Sequence, residues 1–470
     1  MSIRTDVREL LPFLEESWAM GWPMILIMFF QFAIGLTDVL VAKYLGTDVQ
    51  AAVGYVSQLY WTLTILANAL SVGTVSMVSQ AYGAGSAEGV RRVLSHSLLV
   101  GLVISGFMTI VAGLFPETVV RLAGMPEKIV ELGVIFIRIF CLVLVPTYVM
   151  VITAGVLRAS GRVRIAMVNA AITAVVNVAC SVGLSFGVGP VPALGFRGIA
   201  FATAIAVSLG MVLNLAQMLR GSTGLGIGLF RAPALVCIRN LLRLGTATAL
   251  QQGSWNIGTL VIYYMVGHLQ GYGIVPLTAM TAGVRVEAIV YLPVFAMNMA
   301  AAVLTGNRLG AGSVQDARFA AKACAALSLL IVLGPALILF VCAHPVSGLL
   351  SDDPAVRAEM ARYLRINMLS MPFLAIGITL SGSLQGAGDT VATMRIVMVS
   401  MWGLRIPAIL AAIHVLSAGP RGIWWAMTFS IVCLTAMMAH RFRSGVWTTA
   451  SLSKGEKTML WESCLGRPKN

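Results

Sequence analysis

Two acidic residues lie deep inside long apolar stretches of this sequence. The first, Asp38, interrupts the run from Met20 to Tyr44, which can cross a bilayer because about 20 apolar residues suffice. The second, Glu287, lies in a comparable stretch of the second half. A carboxylate in hydrocarbon is unfavourable because no bulk water solvates it, so intramembrane acids usually exchange ions or protons or pair with other charges.

The composition is typical of a membrane protein. Of the 470 residues, 58% are hydrophobic and 11% are charged, whereas soluble domains carry about 25% charge. The first apolar run is too long for a secretory signal. We therefore expect an all-α polytopic membrane protein with about 12 transmembrane helices. The expected spans are residues 18–43, 51–80, 95–115, 131–157, 165–187, 198–219, 244–267, 277–306, 323–342, 360–384, 396–415 and 422–440.

The net charge of +14 is distributed unevenly over the connections. Most Lys and Arg residues fall at the termini and in the even-numbered connections, among them Arg91, Arg162 and Arg318. The positive-inside rule then places both termini in the cytoplasm, with the protein in the inner membrane. The basic excess is thus explained by topology and does not indicate nucleic-acid binding.

An internal repeat divides the chain into two homologous halves. Three segments recur at a constant offset of 227 residues: Ser79–Ser86 with Gly306–Ser313, Phe136–Ile139 with Tyr363–Ile366, and Gly155–Gly161 with Gly382–Gly388. Six spans per half is an even number, so both halves enter from the same side and form a parallel 6+6 repeat. The expected domains are an N-terminus (1–17), an N-lobe (18–220), a linker (221–243), a C-lobe (244–440) and a cytoplasmic tail (441–470).

Polar residues of the N-lobe can surround Asp38. In the fifth span, Thr173, Asn177 and Ser181 recur at every fourth position and share one helix face. The first span also runs outward and carries Asp38 about 27 Å along its axis. We therefore expect Asp38, Asn177 and Ser181 to form a cation- or proton-coupling cluster, which Thr64 and Asn68 of the second span can extend. Alternatively, the uncharged residues only hold the helices together.

The C-lobe has its own polar stripe, in which Gln252, Asn256 and Tyr263 lie along one face of the seventh span. Glu287 lies in the next span, with Tyr291 one turn further on. The residues that we expect to line a substrate cavity are Thr64, Asn68, Thr173, Gln252, Asn256, Tyr263, Glu287 and Tyr291.

For Glu287, a structural role competes with a direct role in binding substrate or protons. A buried carboxylate near guanidinium groups usually forms an ion pair. Arg285 lies about 200° around the helix from Glu287, so the expected partner is Arg405 or Arg365.

Four segments resemble the multidrug and toxic compound extrusion (MATE) family, and within it the DinF-like branch, which carries an acid in its first helix. They are Gly35–Gly46, Thr281–Gly312, Leu380–Thr390 and Met401–Pro407. The resemblance implies a V-shaped fold of two six-helix lobes. It also implies alternating access, with export driven by entry of H⁺ or Na⁺.

The sequence departs from the family at positions where some relatives carry acids. Ser181 replaces an acid of the fifth helix, Gln251, Gln252 and Asn256 occupy the acidic region of the seventh, and Ser370–Gly377 of the tenth contains none. Because a dehydrated Na⁺ needs several oxygen ligands, these losses favour H⁺ as the coupling ion, with Na⁺ as the alternative. No cofactor or metal motif is present.

We therefore expect a secondary antiporter that exports small organic, often cationic, compounds and acts as a monomer in the lipid bilayer. A lipid-linked or polysaccharide flippase of the same superfamily is the alternative, as is a rigid bundle without transport. A membrane-embedded enzyme is disfavoured, because no His, Asp and Glu cluster lies at one interface, and no ATP-binding GxxxxGK[ST] motif is present.

The charge distribution predicts which sites face the cytoplasm. In a cysteine-free background, single cysteines at positions 91, 162 and 318 should resist an impermeant thiol reagent added outside intact cells, because these connections are internal. Cysteines at Thr47 and Pro190 should react. External labelling of position 162 would overturn the orientation.

Overall fold

The computed structural model describes residues 3–122, 124–187, 192–219 and 234–450. Within these ranges the chain forms helices and no strand, because a segment in hydrocarbon must satisfy its backbone hydrogen bonds internally. The all-α class expected from the sequence is confirmed. Most of the predicted linker, the predicted tail from residue 451 onward and Pro190 lie outside the described residues.

Each half of the chain contains its own set of helices. The first half contains α1 (Ile3–Leu45), α2 (Thr47–Gly83), α3 (Ala87–Leu114), α4 (Pro116–Leu122), a 3₁₀ turn (Glu127–Ile129), α5 (Val130–Ala159), α6 (Val163–Phe186) and α7 (Phe196–Leu219). The second half contains α8 (Leu235–Gly267), α9 (Val275–Gly310), α10 (Val314–Val341), α11 (Ala343–Leu350), α12 (Pro354–Met368), α13 (Met371–Gly386), α14 (Thr390–Met398), a π-helical segment (Val399–Arg405), α15 (Ile406–His414), α16 (Gly419–Arg443) and α17 (Trp447–Ala450).

Every predicted span corresponds to a described helix or helix pair. By length and hydropathy, 10 described segments can cross a membrane, and α12 with α13, bent by 50°, make an eleventh. The remaining predicted span is α8, which is 33 residues long but carries Gln251, Gln252 and Asn256 in its middle. Its polar face explains why it is less apolar than the others.

Two predicted spans are not regular helices. The tenth bends between α12 and α13, and the eleventh contains the π-helical segment between α14 and α15. Pro407 follows this segment and has no N–H to donate to the carbonyl of Gly403, against which its ring would clash in α-geometry. A local change of hydrogen-bonding pattern relieves that conflict.

The repeat seen in the sequence reappears in hydrogen bonds between helices. Ser71 Oγ donates to the carbonyl of Val151 at 3.3 Å. At the equivalent position of the second half, Asn298 Nδ2 donates to the carbonyl of Ile378 at 2.6 Å. Serines also cap the first turns of α3 and α10 at equivalent positions. The two halves therefore share a packing scheme.

Contacts divide the chain into two compact units. The N-terminal unit comprises the described residues of Leu26–Thr246, and the C-terminal unit comprises those of Ala247–Ser453 together with Met1–Ile25. Each unit has its own apolar core. In the C-terminal unit, the rings of Tyr363 and Trp424 meet edge to face with centroids 4.8 Å apart.

Helix α1 belongs to both units, because its first half packs in the C-terminal unit and its second half in the N-terminal unit. In the C-terminal unit, Glu16 pairs with Arg308 at 2.6 Å, and Cys324 Sγ donates to Ser17 Oγ at 3.3 Å. Pro23 lies just before the division between the units. A proline inside a helix removes one backbone hydrogen bond and allows bending.

Two glycines of α13 let its backbone approach α9 closely. A Cβ atom added at Gly382 would lie 2.1 Å from the carbonyl oxygen of Asn298, and one added at Gly386 would lie 2.0 Å from that of Ala302. Small residues at four-residue spacing permit such helix contacts in membranes.

Replacing Gly386 with alanine should therefore force α13 away from α9. We expect Gly386→Ala to lower the free energy of unfolding by about 1–3 kcal/mol or more through overpacking, measured as a lower Tm of the purified protein in detergent. The matched control is Gly334→Ala in α10, where nothing lies within 4 Å of the added Cβ. Equal stability of the two variants would refute the close packing.

Candidate functional site

A stripe of polar side chains runs along one face of α6. Asn169, Thr173, Asn177 and Ser181 recur at every fourth position, which places them on one side of the helix, and all four are buried. Asn169 Nδ2 donates to Asn214 Oδ1 of α7 at 2.8 Å. At this end, the stripe joins α6 to α7.

At its other end, the stripe meets Asp38. Ser181 Oγ donates to Asp38 Oδ1 at 3.3 Å, and Ser181 is fully buried, whereas Asp38 is half-buried. Asn177 turns to α7, where its Nδ2 donates to Thr203 Oγ1 at 3.4 Å. Its Oδ1 has no hydrogen-bond partner in the described part of the chain. The structure thus joins Asp38 to Ser181 but not to Asn177.

The remaining predicted polar residues of the N-lobe satisfy themselves locally. Thr64 Oγ1 donates to the carbonyl of Trp61 at 2.8 Å, and Thr173 Oγ1 donates to that of Asn169 at 2.8 Å. Such bonds within one helix use up the hydroxyl donor. Asn68 is half-buried on α2.

The region around Asp38 contains few ligands for a cation. Within the described residues, no group of three or more His, Cys, Asp or Glu side chains could hold a metal ion. Near Asp38, Ser181 is the side chain that contacts the carboxylate. A dehydrated monovalent cation needs a shell of several oxygens, whereas a proton needs one acceptor.

The polar side chains of α8 point in two directions. Gln252 and Asn256 are half-buried, and Asn256 Nδ2 donates to the carbonyl of Gln252 at 2.9 Å. Further along, Tyr263 lies close to Thr281 of α9. Gln251 turns away and accepts hydrogen bonds from side chains of α13 and α14.

An open groove of about 590 Å³ lies on α9 in the C-terminal unit. Its polar groups come from Thr278, Thr281 and Arg285, and none of the predicted cavity residues lines it. Sequence reasoning missed this surface, although positions 278, 281 and 285 have the spacing of one helix face. Its apolar walls are Ile274, Leu277, Ala282, Val286, Ile289 and Leu350.

Glu287 is buried in α9, with 3% of its surface exposed. Tyr363 Oη donates to its Oε2 at 3.2 Å, whereas its Oε1 has no hydrogen-bond partner among the described residues. No ion pair within the described ranges includes this carboxylate. Tyr291 stacks on Phe295 with ring centroids 6.3 Å apart. The direct ion pair predicted for Glu287 is therefore not formed.

Arg405 lies buried at the end of the π-helical segment. Its Nε donates to Ser430 Oγ at 2.6 Å, and its guanidinium carbon lies 4.8 Å from the ring centroid of Trp255, a cation–π distance. Its Nη2 has no partner within the described chain. Arg405 interacts electrostatically with Glu287, so a positive charge lies near the acid without touching it.

Arg365, the other predicted partner, is exposed on α12. The reason is helix phase. Tyr363 faces Glu287, and a residue two positions further on points about 200° away around the helix. The expected pairing of Arg365 with Glu287 is wrong.

Sequence reasoning missed several buried polar residues, three of which join neighbouring helices. Thr203 and Asn214 of α7 bond to α6, and their spacing of three helical turns could have indicated one polar face. Glu359 is buried in α12 and accepts from Trp424 Nε1 at 2.8 Å. It precedes the predicted span 360–384 by one residue, so it was not counted as an intramembrane acid.

Comparisons with known proteins agree with this architecture. The sequence model of the MatE family matches residues 23–182 and 247–410. "Probable multidrug resistance protein NorM" of Thermotoga maritima is 23% identical over 430 residues, covering 91% of each chain. "Multidrug resistance protein PmpM" of Pseudomonas aeruginosa is 23% identical over 450 residues, covering 94% of this chain and 92% of that protein.

A solved structure described as "Outward-facing conformation of a multidrug resistance MATE family transporter of the MOP superfamily" superposes with a TM-score of 0.86. It is 20% identical and covers 93% of this chain and 96% of that chain. This likeness confirms the expected two-lobed helical fold, while the DinF-like assignment stays a prediction. Because the family match extends over both halves and more than half of the residues, the chain belongs to the MatE family.

Proposed function

We propose that the protein is a secondary active multidrug efflux antiporter, which exports organic, often cationic, compounds in exchange for inward protons. The contact between Asp38 and Ser181 inside apolar helices carries the proposal. Membership of the MatE family and relatives named as multidrug resistance proteins support it. We further propose a monomer in the inner membrane, with both termini in the cytoplasm.

The proton is preferred to Na⁺ because of the ligands available. Asp38 is contacted by one hydroxyl, that of Ser181. Asn177 Oδ1 has no hydrogen-bond partner among the described residues, and no hydrogen bond joins Asn177 to Asp38. A proton can be exchanged at the carboxylate alone, whereas Na⁺ would require further oxygens to converge on it.

Helix α1 can couple protonation of Asp38 to both units, because one half of the helix packs in each. Its first half is fixed in the C-terminal unit by the pair of Glu16 and Arg308, and its second half carries Asp38. Protonation of Asp38 weakens the charge-assisted bond from Ser181. Bending of α1 at Pro23 would then accompany the exchange of the proton, and we propose it as the coupling step of alternating access.

The driving force is sufficient for export. A proton that moves inward gains about 2.3 kcal/mol per 100 mV, which supports roughly a fifty-fold gradient of a neutral substrate at about 1.4 kcal/mol per factor of ten. For a monovalent cation exchanged one for one, the charges cancel, and only the pH gradient drives export.

Substrate contacts are proposed on α8 and α9. The groove of α9 combines apolar walls with Thr278, Thr281 and Arg285, and Tyr263 lies close to Thr281. Mostly apolar surfaces with few polar groups suit ligands of varied shape. Gln252 and Asn256, half-buried on α8, are proposed to extend this surface.

A flippase for lipid-linked phosphates is the second candidate. The observation in its favour is the exposure of Arg285 and Arg365 inside predicted spans, because guanidinium groups bind phosphates well. Transport assays in proteoliposomes distinguish the two candidate functions. A flippase would move a fluorescent lipid-linked phosphate across the bilayer and leave a soluble dye untransported, and the antiporter would do the reverse.

Asp38→Asn should abolish proton-driven transport. The amide has the shape of the protonated acid but cannot release a proton, so the protein should fold and reach the membrane yet fail to export. The matched control is Asp48→Asn, which removes an exposed surface pair with Lys128 at 2.9 Å and should transport normally. Efflux into inverted vesicles is the measurement.

The same vesicles distinguish the coupling ions. Wild-type vesicles should accumulate substrate under an imposed pH gradient and not under an imposed Na⁺ gradient. Proton-driven export by well-folded Asp38→Asn at the wild-type rate would contradict the mechanism. Export driven by Na⁺ alone would refute proton coupling.

We also propose that Glu287 and Arg405 stabilise the C-terminal unit rather than bind substrate. Both side chains are buried, and each is held by a neutral hydroxyl, that of Tyr363 or Ser430. The two charges interact without a direct ion pair, so removal of one leaves the other buried without a nearby opposite charge.

Arg405→Met should accordingly lower the free energy of unfolding by about 3–5 kcal/mol. The matched control, Arg365→Met, removes an exposed cation and should change it by about 0.5 kcal/mol or less. Thermal unfolding of the purified variants is the measurement. A stable Arg405→Met protein that has lost transport selectively would contradict the structural role and favour a direct one.

A further inference from the structure

A second groove lies between α10, α13 and α16 of the C-terminal unit, with a volume of about 290 Å³. Lys322 and Arg443 lie at its rim, and every other lining residue is apolar. The two cations flank the predicted spans 323–342 and 422–440, so they lie where helices leave the hydrocarbon. The apolar walls are Ala325, Ala326, Leu329, Ile376, Leu380, Ala439 and Phe442.

Within the described part of the chain, the cations at this groove form no salt bridge. Lys322 and Arg443 are both exposed. Arg318, one turn before Lys322, also forms no salt bridge among the described residues. A Cβ atom added at Gly445 would lie 2.8 Å from its guanidinium. Three positive charges therefore converge at the ends of α10 and α16.

The surface that continues from the groove is apolar. Further along α10, Leu330, Leu337, Ile338 and Val341 expose between 62% and 64% of their surfaces. A helix face of this composition contacts acyl chains, because polar groups facing hydrocarbon would be unfavourable. The groove is thus open to lipid along its length and basic at one end.

We propose that this groove binds one anionic phospholipid. The phosphate lies between Lys322 and Arg443, and an acyl chain lies along Ala326 and Leu329, where the small alanine side chains leave room. Basic pockets between transmembrane helices at the cytoplasmic face select acidic headgroups. The positive-inside count assigns this end of the helices to the cytoplasm.

The apolar walls argue for a lipid rather than free phosphate. An inorganic anion would contact only the two rim cations and would make no contact with the apolar walls. A phospholipid would contact the cations through its phosphate and the walls through an acyl chain. The site is independent of Asp38 and of the proposed antiport, so failure of either proposal leaves the other standing.

Native mass spectrometry of the purified full-length protein tests the proposal. The detergent is supplemented with phosphatidylglycerol or phosphatidylcholine. The wild type should retain one molecule of phosphatidylglycerol in preference to phosphatidylcholine. The double variant Lys322→Gln/Arg443→Gln should weaken this binding by about 25-fold, or about five-fold for each cation. The matched control is Arg395→Gln, which removes an exposed cation of α14 outside the groove and should bind as the wild type does.

Ala326→Phe supplies an independent test, because it fills the groove without altering charge. It should reduce phosphatidylglycerol binding, whereas an interaction with the headgroup alone would be unaffected. Equal retention of the two lipids, unchanged binding by the double variant, or displacement of the lipid by millimolar inorganic phosphate would each overturn the proposal.

Discussion

The position of Asp38 inside an apolar membrane span is the constraint on which the rest of the arrangement depends. A carboxylate in hydrocarbon must find its hydrogen bonds in the protein, and here one hydroxyl, that of Ser181, provides a bond of 3.3 Å. An acid held by a full ion pair or by several donors would keep its charge. An acid with one neutral hydrogen-bond donor can be protonated, because the loss of its negative charge breaks no ion pair.

The duplicated fold places different chemistry at equivalent positions. Glu287 corresponds to Tyr60 of the first half, at the same offset of 227 residues. Tyr60 forms a neutral hydrogen bond of 2.6 Å with Thr147, where the C-terminal unit has a buried carboxylate. Shared packing, such as the bond of Ser71 and its counterpart, therefore supports two units with unlike polar interiors, and only the first carries the proposed coupling acid.

Much of the fold could be predicted from the sequence because hydrocarbon leaves apolar segments few alternatives to helices. The contact of Asp38 with Ser181 followed from four-residue spacing and helical rise. The rotation of each helix did not, since neighbouring helices set it. Asn177 therefore turned to Thr203, and Arg365 faced outward. The bend of 50° before α13 and the π-helical segment also depend on tertiary packing, which local patterns do not encode.

Proton release on substrate binding is the most direct measure of coupling at Asp38. Substrate is added to the purified transporter in weakly buffered detergent solution, and the pH change is recorded. We expect the wild type to release protons as substrate binds and Asp38→Asn to bind substrate without proton release. We expect Na⁺ not to replace the proton. Proton release by Asp38→Asn equal to that of the wild type would contradict coupling at Asp38.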